Sequence, residues 1–379
     1  NNENKVLNVP HLRFPEFNGE WETKLINDLA VVIGGGTPDT TIKSYWDGEI
    51  QWFTPSEIGK NKYVDSSLRT ITEEGLNNSS AKLLPPNTIL LSSRATIGEC
   101  SLSLRECATN QGFQSLVSKK CYVDFLYYLI QTKKRDLIRK SCGSTFLEIS
   151  ANEVRKIQVS VPTDVEQQKI AGLLSLIDER IATQNKIIED LKKLKSAISL
   201  KMLHSDSWEQ FKIQDIASIG RGRVISSVEI SQQENPLYPV YSSQTSNDGI
   251  MGYLDDFMFE GEYISWTTDG ANAGTVFYRN GKFNCTNVCG LLKLKKGFDA
   301  HFVSLVLAEA TRMYVSTNLA NPKLMNNTMG NIQIRLPKLE EQKRISVVFR
   351  KLHGLLETHN SLIIKYSKQK QYLLSQMFI

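Results

Sequence analysis

The sequence predicts an α+β protein built as a pseudo-two-fold repeat, in which two globular α/β domains are separated by two long helices that pair as an antiparallel coiled coil. Residues 154–203 align without a gap with residues 329–378, at a shift of 175. The segment WETKLINDLA at 21–30 also resembles WEQFKIQDIA at 208–217. Both aligned C-terminal segments carry apolar residues at alternating steps of three and four, which is the coiled-coil pattern.

The two matches divide the chain into five segments. These are an N-terminal segment at 1–20, a first domain at 21–153, a central spacer-helix region at 154–206, a second domain at 207–328 and a distal spacer-helix region at 329–379.

The domains are predicted to mix strands and helices. Short apolar runs bounded by Gly, Asn and Pro predict strands at 87–93, 113–118, 262–268, 274–279 and 289–295. Each domain closes with a predicted helix, at 123–140 and 298–315, and then a short strand, at 157–161 and 332–336.

Each spacer region is predicted to form a helix of about 38 residues. Pro162 and Pro337 stand just before the helices, where proline ends a strand and permits a helix start. The first seam consists of Ile170, Leu174, Ile177, Ile181, Gln184, Ile188, Leu191, Lys195, Ile198 and Met202. The second consists of Ile345, Phe349, Leu352, Leu356, His359, Ile363, Tyr366, Lys370, Leu373 and Met377.

A single amphipathic helix cannot bury its apolar stripe alone, so the two helices are expected to pair. Pairing within the chain would be antiparallel and would place one domain at each end, whereas the same seam could instead join two chains. The polar seam residues, Gln184, His359, Lys195 and Lys370, are predicted to fix the register.

Composition excludes several classes of protein. The 379 residues are 41% hydrophobic and 22% charged, with a net charge of +5, and no apolar run is long enough to span a membrane. The first residues do not resemble a signal peptide, so a cytoplasmic location with reduced thiols is expected. The six cysteines and five histidines show no metal-ligand spacing.

No catalytic signature is apparent. The sequence has no nucleotide-binding P-loop, no dinucleotide fingerprint and no Asn-Pro-Pro-aromatic motif of amino-methyltransferases. Asp164, Glu166 and Lys169 come nearest to a nuclease set, but their spacing is wrong and they fall on a predicted helix start. We therefore expect a solvated first turn there and a chain that is not an enzyme.

Taken together, these features resemble the specificity subunits of type I restriction-modification systems. The resemblance rests on the EQQKI and EEQKR helix starts after a proline and on the twin long helices. It also rests on four loop segments: LLSSRATIGECSL (90–102), ATNQGF (108–113), YPVYSSQTSNDGIMGY (238–253) and ISWTTDGANAGTVF (264–277). It covers essentially the whole chain, and the order and twofold repetition of the motifs make it specific.

The resemblance implies that the domains are target recognition domains, each reading one half of a split double-stranded DNA sequence. It also implies that the helices hold the domains apart and dock two methylation subunits, which motor-nuclease subunits then join. S-adenosylmethionine, ATP and Mg are then expected on the partner subunits, with no cofactor in this chain.

Residues for base contact are predicted from side-chain chemistry, since Arg suits guanine, Asn and Gln suit adenine, and hydroxyl groups suit bases or phosphates. In the first domain they are Ser92, Ser93, Arg94, Thr96, Asn110 and Gln111. In the second they are Ser242, Ser243, Gln244, Thr267, Thr268, Asp269 and Asn272. Predicted phosphate contacts are Lys43, Arg221 and Arg223.

The two halves are expected to read different bases. Ser-Ser-Arg in the first domain is replaced by Thr-Thr-Asp in the second, so a donor becomes an acceptor, and Asp269 would suit a cytosine amino group. A basic helix end at 133–140 is either a contact for the DNA backbone or a solvated face.

Two other functions remain open. One is a non-enzymatic helical spacer whose domains bind protein or carbohydrate, and the other is the severed specificity half of a fused methyltransferase-nuclease. Binding that weakens steeply with salt would favour DNA over the first, and methyl transfer by the isolated chain would favour the second.

Overall fold

The computed structural model describes residues 7–143, 147–316 and 321–379, and it divides into two compact units. The first unit contains the chain up to Ile187 and again His359–Ile379, and the second contains Ile188–Thr358. Each unit therefore combines one predicted domain with part of both spacer helices.

The first unit is built on two sheets. Its strands are β1 (Glu22–Leu25), β2 (Ala30–Gly34), β3 (Trp46–Phe53), β4 (Tyr63–Val64), β5 (Arg69–Ile71), β6 (Ile89–Leu91), β7 (Cys100–Ser103), β8 (Cys107–Thr109), β9 (Gln114–Ser118) and β10 (Gln158–Val161). Its helices are α1 (Ile26–Leu29), α2 (Glu73–Asn77), α3 (Val123–Thr132), α4 (Lys134–Arg139), α5 (Ala151–Arg155) and the first part of α6 (Asp164–Met202). One sheet has the order β2-β9-β6-β7-β4, another has the order β5-β3-β8, and β1 pairs with β10.

The second unit repeats this plan. Its strands are β11 (Glu209–Lys212), β12 (Ala217–Arg221), β13 (Tyr238–Tyr241), β14 (Ile250–Leu254), β15 (Phe259–Glu260), β16 (Tyr263–Thr267), β17 (Val276–Arg279), β18 (Lys282–Cys285), β19 (Cys289–Leu294) and β20 (Gln333–Leu336). Its helices are the last part of α6, α7 (Ile213–Ile216), α8 (Ser227–Ser231), α9 (Ala300–Ala310), α10 (Asn326–Asn331) and about half of α11 (Leu339–Met377), whose other half belongs to the first unit.

The sheets of the two units share most of their strand order. The order β2-β9-β6-β7 recurs as β12-β19-β16-β17, and the parallel pair β3 and β8 recurs as β13 and β18. The α+β fold and the repeat predicted from the sequence are therefore confirmed.

The closing helices are shorter than the sequence predicted. Residues 125–130 of α3 are all buried, but α3 ends at Thr132 because Lys133 leaves helical geometry (φ −90°, ψ 9°), and α4 begins at the next residue. Similarly, α9 ends at Ala310 and a single 3-10 turn, Thr311–Met313, follows it. Polar residues end the apolar face in both places.

The two spacer helices each contain 39 residues, and every predicted seam position is buried or half-buried. In the first unit, Ile170 and Leu174 share a core with Leu373 and Met377. In the second unit, Met202 from the end of α6 shares a core with Ile345 and Phe349 from the start of α11. In each unit the start of one spacer helix packs against the end of the other. The helices are therefore antiparallel there and pair within one chain.

The described part of the N-terminal segment lies against the first unit. The backbone N–H of Leu12 donates to the carbonyl of Gln376 at 2.9 Å, and Asn8 exchanges hydrogen bonds with Trp21. Phe14 packs on the core of the unit. None of the described helices combines the length and the apolar character that a bilayer span requires.

Candidate DNA-binding loops

The loop after β6 in the first unit is held by backbone hydrogen bonds from two directions. The N–H of Ser93 donates to the carbonyl of Gly112 at 2.8 Å, and the carbonyl of Ser93 accepts from the N–H of Ile149 at 3.1 Å. Arg94 follows, with its guanidinium 2.9 Å from the carboxylate of Glu148 and 41% of its side chain exposed. The loop therefore presents Arg94 on a fixed backbone.

A second loop, after β8, joins the first at Gly112. The N–H of Asn110 donates to the carbonyl of Phe53 at 3.0 Å, and its side-chain oxygen accepts from the N–H of Gly112 at 2.8 Å. Gln111 is exposed and accepts a hydrogen bond from the Thr37 hydroxyl. The predicted residues Arg94, Asn110 and Gln111 thus lie on neighbouring loops.

The Gly-rich segment at 34–36 passes close behind this second loop. A Cβ atom at Gly35 would lie 2.0 Å from the carbonyl oxygen of Asn110, so only glycine fits there. Gly35 therefore serves the packing of this loop.

Two other predicted residues of the first domain are not on its surface. Ser92 and Ser93 are fully buried, and the Ser92 hydroxyl donates to the carbonyl of Arg94 at 2.8 Å and accepts from Thr96 at 3.1 Å. These serines shape the loop, whereas Thr96 is exposed beside them. Lys43 is exposed on the 3-10 turn Lys43–Tyr45, away from these hydrogen bonds.

The second unit builds the same frame. The N–H of Thr268 donates to the carbonyl of Val288 at 3.1 Å, and its carbonyl accepts from the N–H of Leu324 at 2.8 Å. Asp269 then pairs through its backbone with Lys323, as Arg94 pairs with Glu148. The acidic and basic positions of this pair are therefore exchanged between the units, which adds Glu148 and Lys323 to the replacement of Arg by Asp seen in the sequence.

As in the first unit, some of the predicted side chains in this loop are buried and others are open to solvent. Thr267 and Thr268 are buried, and their hydroxyls donate to the carbonyls of Asn272 and Val288 respectively. Asn272 is exposed and Asp269 is half-buried, so these two are the predicted residues that remain open to a ligand.

Ser242, Ser243 and Gln244 follow β13 and are half-buried. The carbonyl of Tyr241, just before them, accepts from the N–H of Thr286 at 2.9 Å, which brings their loop beside the loop after β18. Ser242 is itself fixed by its N–H, which donates to the carbonyl of Gly249 at 2.9 Å.

Arg279 is a residue that the sequence analysis missed. Its side chain is only 2% exposed, and it donates to the Asp248 carboxylate at 2.7 Å and to the Asp248 carbonyl at 2.9 Å. Its guanidinium also lies 3.6 Å from the centre of the Tyr241 ring. Arg279 therefore supports the 242–249 loop. In the sequence, the sign of this role was a lone arginine at the end of an apolar strand.

The equivalent loop in the first unit was missed as well. The backbone N–H of Asn110 donates to the carbonyl of Phe53, just as that of Thr286 donates to the carbonyl of Tyr241. Thr54 and Ser56 therefore occupy the place of the Ser242–Gln244 segment. Ser56 is exposed. In both repeats an apolar strand followed by small hydroxyl residues marks this loop.

The two predicted arginines of the second domain have different surroundings. Arg221 donates to the side chain of Asn326 on α10 at 2.9 Å. Arg223 is exposed, and its N–H donates to the carbonyl of Cys285 beside the loop. Its guanidinium pairs with Glu229, which raises the pKa of Arg223 and lowers that of Glu229, chiefly through the side-chain hydrogen bond.

The basic end of the closing helix in the first unit is partly paired within the chain. Lys134 contacts Glu99, Arg139 contacts Asp136 at 2.7 Å, and Lys133 donates to the carbonyl of Ile379 at 2.7 Å. Burial lowers the pKa of Lys133. These pairings favour a structural role for these three cations.

The expectation of a solvated first turn at 164–169 is wrong for Glu166. This carboxylate is 1% exposed and receives two hydrogen bonds from Arg13, at 2.7 and 2.8 Å. Its partner is 153 residues away in the chain, so the local sequence could not indicate the contact. Within the described residues, no cluster of His, Cys, Asp and Glu could hold a metal ion.

Comparison with known proteins identifies the class to which this fold and these loops belong. The family model described as the type I restriction modification DNA specificity domain matches residues 18–193 and again residues 205–365. The two matches cover most of the chain, and the chain belongs to this family. It therefore carries two copies of the type I restriction modification DNA specificity domain.

Two curated relatives are similar to this chain over part of its sequence. The specificity subunit of the type I restriction enzyme MjaIX from Methanocaldococcus jannaschii is 39% identical over 180 residues, which are 46% of this chain and 42% of that protein. A putative type I specificity subunit of Mycoplasma pneumoniae is 36% identical over 231 residues, or 59% of this chain and 96% of that one. The match thus spans less than half of the first relative.

In fold, the chain is similar to the S subunit of a type I restriction-modification system from M. genitalium. The TM-score is 0.69 at 17% identity, with 98% of this chain and 99% of that chain covered. A chain from a structure on the assembly and conformational transition of the type I R-M system gives a TM-score of 0.57 at 14% identity, with 97% and 99% covered.

Proposed function

We propose that each domain of this chain reads one half of a bipartite double-stranded DNA target for a type I restriction-modification complex. The observation that carries the proposal is the repeated backbone frame around Ser93 and Thr268, which presents Arg94 in one unit and Asp269 in the other. A guanidinium donates well to guanine and a carboxylate accepts well from cytosine. One frame with exchanged side chains suits two readers of different half-sites.

The helices are proposed to dock two methylation subunits, which motor-nuclease subunits then join. Exposed apolar residues outside the seam support this, among them Leu176 and Leu200 on α6 and Leu355 and Ile364 on α11. S-adenosylmethionine, ATP and Mg would be bound by those partners, and this chain would supply recognition without chemistry.

The spacer helices are further proposed to set the unread gap between the half-sites. Both run for 39 residues without a break, and a continuous helix has a fixed rise of about 1.5 Å per residue. A change in helix length should therefore change the gap and leave the half-sites as they are.

The proposal is tested by producing the chain together with its methylation partner and mapping methylated adenines across a genome. We expect a bipartite, asymmetric motif. Replacing residues 207–328 with the corresponding domain of another family member should change one half of the motif, and a change in both halves would refute the assignment of one half to each domain.

Two measurements separate the other functions. DNA binding that ignores sequence and salt concentration would favour a spacer protein with another ligand, because phosphate contacts make DNA binding strongly salt-dependent. Methyl transfer by the isolated chain would instead indicate part of a fused methyltransferase, and we expect none.

A further inference from the structure

An open groove of about 1040 Å³ lies in the second unit where the end of α6, the start of α11 and the recognition domain meet. Its apolar wall includes Met202, Trp208, Phe211 and Phe298. Its charged residues include Lys201, Lys338, Glu341 and Arg344.

The corresponding groove of the first unit is filled by the chain itself. Arg13 from the N-terminal segment makes a bidentate ion pair with Glu166, and the carboxylate of Glu16 pairs with Lys169. Phe14 lies between them and packs on the core, with the ammonium of Lys169 4.7 Å from its ring centre. The occupying motif is thus Arg-Phe-Pro-Glu-Phe, at 13–17.

The walls of the two grooves correspond residue by residue in the repeat. Glu341 stands at the position of Glu166, and Arg344 stands at the position of Lys169. Trp208 stands at the position of Trp21, because β11 pairs with β20 in the register in which β1 pairs with β10. The second groove therefore keeps both charges and the aromatic wall that hold the segment in the first.

The second groove differs from the first because no segment of the described chain covers it. Trp21 is 3% exposed beneath the N-terminal segment, whereas Trp208 is only half-buried. Glu341 and Arg344 are exposed, and neither side chain has a hydrogen-bond or ion-pair partner within the described ranges 7–143, 147–316 and 321–379. In this unit α6 passes into β11 through the short stretch 203–208, which offers no counterpart to residues 8–20.

We propose that this groove is a docking site for a linear segment of a partner protein that carries an arginine, a carboxylate three residues later and aromatic residues beside them. The arginine would pair with Glu341 and the carboxylate with Arg344, and the aromatic residues would cover Trp208 and Phe298. Bidentate pairing of arginine with a carboxylate gives such a contact direction as well as strength. The proposal goes beyond DNA reading and holds whatever bases the loops contact.

The test uses the full chain and a labelled peptide with the sequence of residues 8–20, NVPHLRFPEFNGE. We expect saturable 1:1 binding in a fluorescence anisotropy titration. The variant Glu341→Gln should weaken binding at least tenfold, and so should an R13A change in the peptide. The matched control is Glu340→Gln, an exposed residue of the same helical turn outside the groove, which should bind as the unchanged chain does.

Two further experiments test where the peptide binds and which charges hold it. A photoreactive group on the peptide should crosslink to residues 201–211 or 336–345, and crosslinks confined to 162–170 would show mere exchange with the N-terminal segment and overturn the proposal. The chain with Glu341→Arg should regain binding to a peptide with R13E. Absence of saturable binding, equal binding by Glu341→Gln, or a failed charge reversal would likewise overturn it.

Discussion

Gln184 and His359 occupy the same position of the two repeats and are hydrogen-bonded to each other, with His359 Nδ1 and Gln184 Oε1 2.6 Å apart. On one side of this pair, Asp178 meets Lys370 at 2.7 Å, so residue numbers fall along one helix as they rise along the other. The pair therefore marks the register of the antiparallel helices in the first unit. The sequence analysis predicted this role for both residues.

Replacing His359 with Leu should lower the free energy of unfolding by about 1 kcal/mol, because the half-buried amide of Gln184 loses its partner. Replacing both residues with Leu should recover most of that loss, since leucine packs well in a coiled-coil seam. Chemical denaturation of the two single variants and the double variant measures the coupling. Strictly additive losses would mean that the two side chains do not act as a pair.

Gln342 should be among the most sensitive polar residues of the second unit. Its side chain is 1% exposed, accepts from the N–H of Asp299 at 3.0 Å and donates to the carbonyl of Pro337 at 2.8 Å. Gln342→Ala leaves two buried peptide groups unpaired and should cost about 2 to 3 kcal/mol.

The measurement for Gln342→Ala is calorimetry together with hydrogen exchange, in which the amide of Asp299 should exchange faster. Lys343→Ala, at the exposed neighbouring position, is the control and should stay within about 0.5 kcal/mol of the unchanged chain. Unchanged exchange at Asp299 would contradict the role of Gln342.

Arg94→Ala should weaken recognition of one half-site only. Loss of a bidentate base contact costs about 1 to 3 kcal/mol, which corresponds to a fall in affinity of roughly 5-fold to 150-fold for the correct base. Binding to DNA duplexes changed at single base pairs measures the effect. Arg105→Ala, which breaks an exposed ion pair with Asp65, is the control and should leave the preference unchanged.

Asp269→Asn should relax the other half-site and leave the first intact, because the half-buried acceptor of the second loop becomes a mixed donor and acceptor. The same panel of duplexes measures it. If both variants altered the same half-site, the two loops could not belong to separate readers.

Deleting residues 179–185 together with 354–360 removes one heptad from each spacer helix at equivalent positions. We expect a shorter gap in the methylated motif with both half-sites unchanged, since the heptad seam is kept in phase. Mapping of methylated adenines measures it. An unaltered gap would show that helix length does not determine the spacing.

We expect His301 to make the second unit sensitive to acid. Burial, and then the charge of Arg350, lower the pKa of this histidine to about 4, so the neutral ring is favoured in the folded state. The unfolded chain takes up a proton near its ordinary pKa of about 6.5. Folding stability that is full above about pH 6.5 is therefore lost as the pH falls towards 4.

The change at His301 should amount to about 1 to 2 kcal/mol, because the ring keeps some contact with water that screens the effect. His301→Gln should flatten the fall of the melting temperature between pH 6.5 and 4. A fall in His301→Gln as steep as in the unchanged chain would assign the acid sensitivity elsewhere.

The spacer helices could be predicted from the sequence at every seam position, because heptad periodicity is a local property of the chain. The loops could be predicted only in part. Ser93 and Thr268 look like surface turn residues in sequence, but backbone bonds to Gly112 and Val288 draw them inside. Whether a polar side chain is buried or exposed depends on partners distant in the chain, as the ion pair of Glu166 with Arg13 also shows.

In each unit the backbone amide and carbonyl of Ser93 or Thr268 hold the loop, so the main chain supplies support that does not depend on the identity of the next side chain. A substitution at Arg94 or Asp269 therefore leaves these backbone hydrogen bonds in place. With the proposed function, such a scaffold would let the recognised sequence diversify by point mutation as well as by exchange of whole domains.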